Sequence, residues 1–229
     1  MIDWHSHVLP GMDDGSQSIE ESLQMLHALH AQGIFSVVAT PHFYADEDTV
    51  SGFLQRREAA LAALSPHLCE SCPRILLGAE VAYYPGIVGL CELSRLTVEG
   101  TDLLLLEMPM ARFTETVITE LLALSSVRGL RVVLAHVERC LPYQSAETLC
   151  RLAGGGISMQ VNASCLCRIP GRRQVLSLLR AGQVRYIGSD AHNMTSRPPR
   201  IGAAYRVIRK KLGEPFLRYL CEQGHRVFG

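Results

Sequence analysis

Seven short apolar runs punctuate this chain, and six of them end on, or just before, a histidine or a carboxylate. The runs cover residues 1–5, 35–40, 74–80, 102–107, 131–136, 157–162 and 185–189. Their apolar character is continuous rather than alternating, as in Leu103-Leu104-Leu105-Leu106, which predicts strands buried on both faces and hence paired in parallel. Helical patterns fill the gaps. Ser18-Ile19-Glu20-Glu21 has the form of a capping box, and Gly33 is placed to stop the helix it starts. Further helices are expected at 51–64, 115–127, 146–153, 173–181, 200–211 and 215–223. Strand–helix alternation repeated in this way predicts an α/β fold, either a closed or nearly closed β/α barrel or an open doubly wound sheet. The placement of the polar residues favours the barrel. There all strand C-terminal ends converge on one face, so residues 5, 42, 80, 107, 136 and 190 can meet. With no linker, repeat or low-complexity stretch, residues 1–229 are expected to form one domain.

Composition narrows the class of function. Lysine plus arginine equals aspartate plus glutamate, 22 against 22, so nothing argues for nucleic acid or an anionic surface as a bulk partner. No apolar run approaches the roughly 20 residues of a membrane span. Asp3, His5 and His7 occupy the place where a secretory signal would need its apolar stretch. A cytoplasmic location follows, with the eight scattered cysteines as free thiols. Cys69-x-x-Cys72 resembles half a zinc site, but no second cysteine pair has matching spacing, so surface or packing roles are expected there.

The polar residues at the strand ends are of metal-binding types. His5 and His7 lie two apart on an extended segment and share one face. Asp14 follows a Pro-Gly turn, and His42 ends Thr-Pro-His. Glu80 sits between two apolar stretches, where a carboxylate needs a cation or a dedicated donor. Glu107, His136, Asp190 and His192 repeat the pattern after their own strands. Singly, each of these residues has an ordinary structural reading; as an ordered set they point to a multinuclear metal enzyme. His27 and His30 on the first helix, His67 in a loop and His225 near the C-terminus are read as structural. Arg139 and Arg197 lie just past two of the ligand motifs, where a guanidinium fork can take phosphate oxygens. A rival motif, Cys167-x5-Arg173, matches the bare pattern of thiol-dependent phosphatases. Its glycine is one place late, Pro170 removes an N–H from any phosphate cradle, and no histidine precedes the cysteine.

Taken in order, the motifs resemble one family. Asp-x-His-Ser-His, Leu-Pro-Gly-Met-Asp-Asp-Gly, Thr-Pro-His, Gly-Ala-Glu-Val, His-Val-Glu-Arg, Gln-Val-Asn-Ala-Ser and Ser-Asp-Ala-His-Asn with Arg-Pro-Pro are similar to the PHP superfamily of metal-dependent phosphoesterases. More closely they resemble its bacterial protein-tyrosine phosphatases encoded with capsular and exopolysaccharide genes. The resemblance implies a distorted seven-stranded (β/α) barrel and three divalent ions, Mn2+ ahead of Fe or Zn. It implies His5, His7, Glu80 and Asp190 on one ion, Glu80, Glu107 and His136 on a second, and Asp14, His42 and His192 on the third. Some relatives carry histidine where this chain has Asp14, which implies a preference for oxygen-loving metals. The implied reaction is in-line attack by a metal-bridging hydroxide on phosphotyrosine of a protein tail, as on a bacterial tyrosine kinase. Cys140 departs from the pattern, since relatives often carry an aromatic there. Two other functions fit the same residues: a small-molecule phosphatase such as one acting on histidinol phosphate, and a non-catalytic metal-holding scaffold. The complete ligand set argues against the scaffold, which could lose any one ligand.

Overall fold

The computed structural model describes residues 1–225. Its strands are β1 (Ile2–Ser6), β2 (Ser36–Ala39), β3 (His42–Phe43), β4 (Arg74–Leu77), β5 (Glu80–Ala82), β6 (Leu103–Glu107), β7 (Arg131–Leu134), β8 (Ser158–Asn162) and β9 (Val184–Gly188). One sheet has the order β1-β2-β4 and the other β3-β5-β6-β7-β8-β9. Every pairing in both sheets is parallel, as the continuous apolar runs require.

One of the seven expected runs is split between two strands, and another is followed directly by a short extra strand. Residues 35–40 lead into Pro41, which has no N–H for a ladder bond and ends β2 before His42 opens β3. The run 74–80 breaks at Gly78-Ala79, and the buried Arg57 guanidinium donates to the freed Gly78 carbonyl at 2.8 Å. Backbone bonds bridge both breaks: Thr40 N–H to the Ser6 carbonyl at 2.9 Å, Gly78 N–H to Ala39 at 2.9 Å, and Glu80 N–H to Pro41 at 3.0 Å. The breaks carry His42 and Glu80 onto the second sheet, where the two residues stand opposite each other in register. Beyond β9 the chain runs back beside β1. Asp190 N–H donates to the His5 carbonyl at 2.8 Å, His7 N–H donates to Ala191 at 2.9 Å, and Ser6 bridges to Ala191 in parallel.

The strands divide the core by their period of two. Val37, Ala39, Leu104, Leu106, Val132 and Leu134 belong to a large cluster that the helices cover. Val38, Leu76, Leu103, Leu105, Val133 and Tyr186 belong to a second buried cluster. Leu103 and Leu105 therefore share a face of β6 with Glu107, and apolar side chains lead up to the carboxylate.

The helices are α1 (Ile19–His30), α2 (Val50–Leu64), α3 (Glu115–Ser126), α4 (Ala146–Gly154), α5 (Ala163–Cys167), α6 (Ile169–Arg180), α7 (Gly202–Leu212) and α8 (Glu214–His225). The expected helices match to within a residue or two, apart from α6, which starts at 169 rather than 173 because Pro170 is tolerated in a first turn. Half of the expected capping box forms at α1. Glu21 N–H donates to Ser18 Oγ at 3.2 Å, while the Glu21 carboxylate takes the Gln17 N–H instead of that of Ser18. Among the described residues no helix is long and apolar enough to cross a membrane. The side chain of His225 lies outside the described residues.

Candidate metal centre

The C-terminal ends of the strands, with the turns that follow them, bring His5, His7, Asp14, His42, Glu80, Glu107, His136, Asp190 and His192 together. Their ligand atoms fall into four overlapping groups: His7, Asp14, His42 and His192; His5, His7 and Asp190; His5, Glu80 and His136; and His42, Glu80 and Glu107. Glu80 is at the centre. Its Oε1 lies 2.7 Å from His136 Nε2, while its Oε2 lies 3.1 Å from His5 Nε2, 3.4 Å from His7 Nε2 and 3.1 Å from His42 Nδ1. Glu107 stands 3.4 Å from His136 Nε2. Asp14 is the most open of the set, its side chain 65% exposed, with Oδ1 3.3 Å from His192 and 3.5 Å from His42.

The outer nitrogens show which way the imidazoles face. His7 Nδ1–H donates to Asp13 Oδ2 at 2.7 Å, His5 Nδ1–H to Gln160 Oε1 at 3.2 Å, and His192 Nδ1–H to the Asp190 carbonyl at 3.0 Å. Each ring is thus held by its outer nitrogen and turns a bare Nε2 inward, the arrangement typical of metal-ligating histidines. The inward Nε2 atoms of His5 and His7 lie 3.2 Å apart. Four buried atoms of the cluster make no hydrogen bond of good geometry: Glu80 Oε2 and His42 Nδ1, although 3.1 Å apart, His192 Nε2, although 3.3 Å from Asp14 Oδ1, and His136 Nδ1. Buried polar atoms without partners are costly. Convergent lone pairs together with orphaned acceptors fit divalent cations.

Three orienting residues escaped sequence reasoning. Asp13 fixes His7 and also accepts the His42 backbone N–H at 2.9 Å. Gln160 accepts from His5 and from the His136 N–H at 2.6 Å, and donates to Asn162 Oδ1 at 3.0 Å. Asn162 donates in turn to Asp190 Oδ2 at 2.7 Å. Gln160 and Asn162 are two apart on a strand whose other central residues, Met159 and Val161, are apolar; that pair of inward amides was the available signal. Backbone strain coincides with the site. Among the described residues, the only non-glycine positive φ angles belong to His136 (29°) and Asp190 (53°), both of them potential ligands.

Electrostatics follow from the contacts. Burial alone would raise the Glu80 carboxyl, but His5, His136 and His42 outweigh it and hold Glu80 well below the usual carboxylate range. Asp190 is lowered in the same way, burial being overcome by His5 and His7. Burial opposes charge on His136, yet Glu107 and Glu80 push it up to about 9. His7 and His42 are also raised, by Asp13, Asp190 and Glu80 in the first case and by Glu80 in the second. His192 goes the other way, down to about 4, because burial is reinforced by His7 and Arg197.

Two cavities border the cluster. One, of about 510 Å3, is lined by Asp13, Asp14, His42, Tyr44 and Arg56, with the Tyr44 ring stacked on His42 at 5.5 Å. The other, of about 220 Å3, is lined by Arg139, Asn162, Arg168, Asp190, Arg197 and Arg200. Arg139 and Arg197 both reach Asp190, at 2.6 and 2.8 Å. Cys140 is buried against the Met108 and Pro109 carbonyls, and Tyr44 offers an aromatic ring in the first cavity. Cys167 is an exposed free thiol, and Arg172 donates to its carbonyl oxygen at 2.7 Å.

The sequence and the fold place the chain among known proteins. Residues 1–227 match the family described as capsular polysaccharide synthesis, CpsB/CapC, and the chain belongs to that family. It is 30% identical to the tyrosine-protein phosphatase YwqE of Bacillus subtilis, over 97% of this chain and 89% of that protein. It is 30% identical to the tyrosine-protein phosphatase CpsB of Streptococcus pneumoniae, over 93% of this chain and 91% of the relative. A chain from the crystal structures of YwqE and CpsB, described as unique metal-dependent tyrosine phosphatases, superposes with a TM-score of 0.85 at 25% identity. That match covers 100% of this chain and 94% of the solved one.

Proposed function

We propose that this protein is a metal-dependent protein-tyrosine phosphatase that removes phosphate from tyrosines on flexible protein tails. One observation carries the reading: imidazoles clamped from outside turn bare nitrogens onto a buried carboxylate whose two oxygens face different partners. Three ions would be held, with Mn2+ ahead of Fe or Zn. His5, His7, Glu80 and Asp190 would hold the first, Glu80, Glu107 and His136 the second, and Asp14, His42 and His192 the third. The two oxygens of Glu80 suit a shared ligand.

Bound divalent ions would lower the pKa of coordinated water to about 7 and neutralise charge on phosphoryl oxygens. The chain's own residues supply the rest. Arg139 and Arg197 stand at the rim of the basic cavity and hold the equatorial oxygens of the phosphoryl group, where charge develops. Tyr44, stacked on His42 at the mouth of the other cavity, offers a face for the substrate ring. Asp13, Gln160 and Asn162 keep the rings and Asp190 aimed. The tyrosine phenolate, with a pKa of about 10, leaves with only modest help from a proton or a metal ion.

On this reading residues 1–229 act as one domain. β2 with β3, and β4 with β5, each count as one strand of a distorted seven-stranded barrel closed by the bonds between β1 and residues 190–191. The physiological partner is a phosphotyrosine-bearing protein of capsule synthesis, such as a tyrosine kinase tail reached from the cytoplasm. Parallel kinetics on a phosphotyrosine peptide, a phosphoserine peptide and histidinol phosphate, all with Mn2+, test the substrate. The phosphotyrosine peptide should have the highest kcat/KM and phosphoserine little turnover. Histidinol phosphate as the best substrate would transfer the site to small molecules.

A further inference from the structure

A second cluster of ligand-type side chains lies at the opposite ends of the strands. Cys69 and Cys72 sit in the turn that leads into β4, where the Cys72 N–H donates to the Cys69 carbonyl at 2.9 Å. That turn points both thiols the same way, with their sulfurs 3.6 Å apart. The sequence offered no second cysteine pair to complete a site, but the fold supplies a histidine from 42 residues upstream. His27, in the last turn of α1, places Nε2 3.4 Å from Cys69 Sγ. All three ligand atoms lie within 4.8 Å of one another, with His27 and Cys69 exposed and Cys72 half-buried.

Two of the three separations match edges of one coordination polyhedron, and the third, between His27 and Cys72, lies within 4.8 Å. Tetrahedral zinc at about 2.3 Å from sulfur and about 2.0–2.1 Å from nitrogen sets two sulfurs about 3.8 Å apart and a sulfur–nitrogen pair about 3.6 Å apart. The observed separations of 3.6 and 3.4 Å need only a small opening. We propose that His27, Cys69 and Cys72 form a surface Zn2+ site separate from the catalytic cluster. Three protein ligands leave the fourth position open to solvent, so the ion is exchangeable. The two sites differ in ligand chemistry, because only this one offers thiolates, which favour zinc, whereas the strand-end cluster combines imidazoles with carboxylates. Bound zinc would pin the end of α1 to the turn before β4.

Cobalt titration reads this site without reference to turnover, since only sulfur ligands give the thiolate-to-cobalt charge-transfer band. The probe is Co2+ added to the full-length, reduced, Mn2+-loaded protein, followed by Zn2+ as competitor. The wild type should develop the band at one equivalent and lose it to Zn2+. Cys69→Ser and Cys72→Ser should abolish it, and His27→Ala should weaken binding by at least the roughly 10- to 100-fold typical of a lost outer-shell partner. Cys167→Ser should keep the band. Phosphatase activity with Mn2+ should persist in Cys69→Ser, which also reports that the variant is folded. A reduced wild type without the band, or a band that survives in Cys69→Ser, would overturn the assignment.

Discussion

Glu80 holds the site together because its two oxygens serve different neighbours, and its burial leaves no water to replace a lost partner. Glu80→Ala should lose metal content and activity together. The loss in affinity should exceed the roughly 10- to 100-fold cost of removing an outer-shell group. Elemental analysis beside turnover decides it, and a variant with full metal content and near wild-type activity would show that Glu80 is not shared. Arg139 and Arg197 should behave differently. Both rest on Asp190, yet both line the basic cavity, so each alanine replacement should lower kcat/KM by about 10²-fold with metal content retained. Unchanged kinetics in both variants would return them to ordinary surface arginines. At this scale the convergence of histidines and carboxylates was legible from sequence, since a carboxylate or imidazole at the end of a buried strand must meet a cation or a dedicated hydrogen-bond partner. Asp13, Gln160 and Asn162 were not, because an amide on a strand or an aspartate in a turn looks ordinary until its partner, more than a hundred residues away in the case of His5 and Gln160, is known.

Between elements, the decisive contact is the one that lays the end of β9 against β1. A Cβ on Gly188 would meet His5 Cβ at 2.5 Å and the His5 backbone nitrogen at 3.0 Å. Gly188→Ala must therefore push β9 away from the strand that carries His5 and His7. Overpacking of this kind costs about 1–3 kcal/mol, which for a chain of this size lowers Tm by roughly 2–4 °C per kcal/mol. Calorimetry together with metal content measures both effects, and a variant with wild-type Tm and metal content would show that β1 and β9 need not approach so closely. The strands and most helix limits were legible because period and apolar continuity encode them. The splits at Pro41 and Gly78 were not, since a run of apolar residues does not reveal where a strand bends to change sheets. Nor was the short α5, which is too brief to carry a period.

For the molecule as a whole, protons and metal ions compete for one set of lone pairs. In the metal-free protein His136 is pushed up to about 9 and so holds a proton at neutral pH, and His7 and His42 are shifted in the same direction. A folded pKa above the unfolded value of about 6.5 stabilises fully below that value. That stabilisation is lost as pH rises toward about 9 for His136. The lowered carboxyls of Glu80 and Asp190 contribute above the ordinary carboxylate range and fail only in acid. The metal-free protein should therefore lose Tm between about pH 6.5 and pH 9. Metal binding should release protons and tighten as pH rises through that window. Calorimetric titration in buffers of different ionisation enthalpy measures the release, and metal affinity independent of pH would contradict it. The most direct test of the central claim is turnover of a phosphotyrosine peptide by the wild type and by Cys167→Ser, each before chelation, after EDTA and after Mn2+ is restored. Activity should vanish with the metal and return with it, equally in both proteins. Turnover that persists in protein shown by elemental analysis to be metal-free, or a Cys167→Ser variant that is inactive with its metal in place, would contradict it.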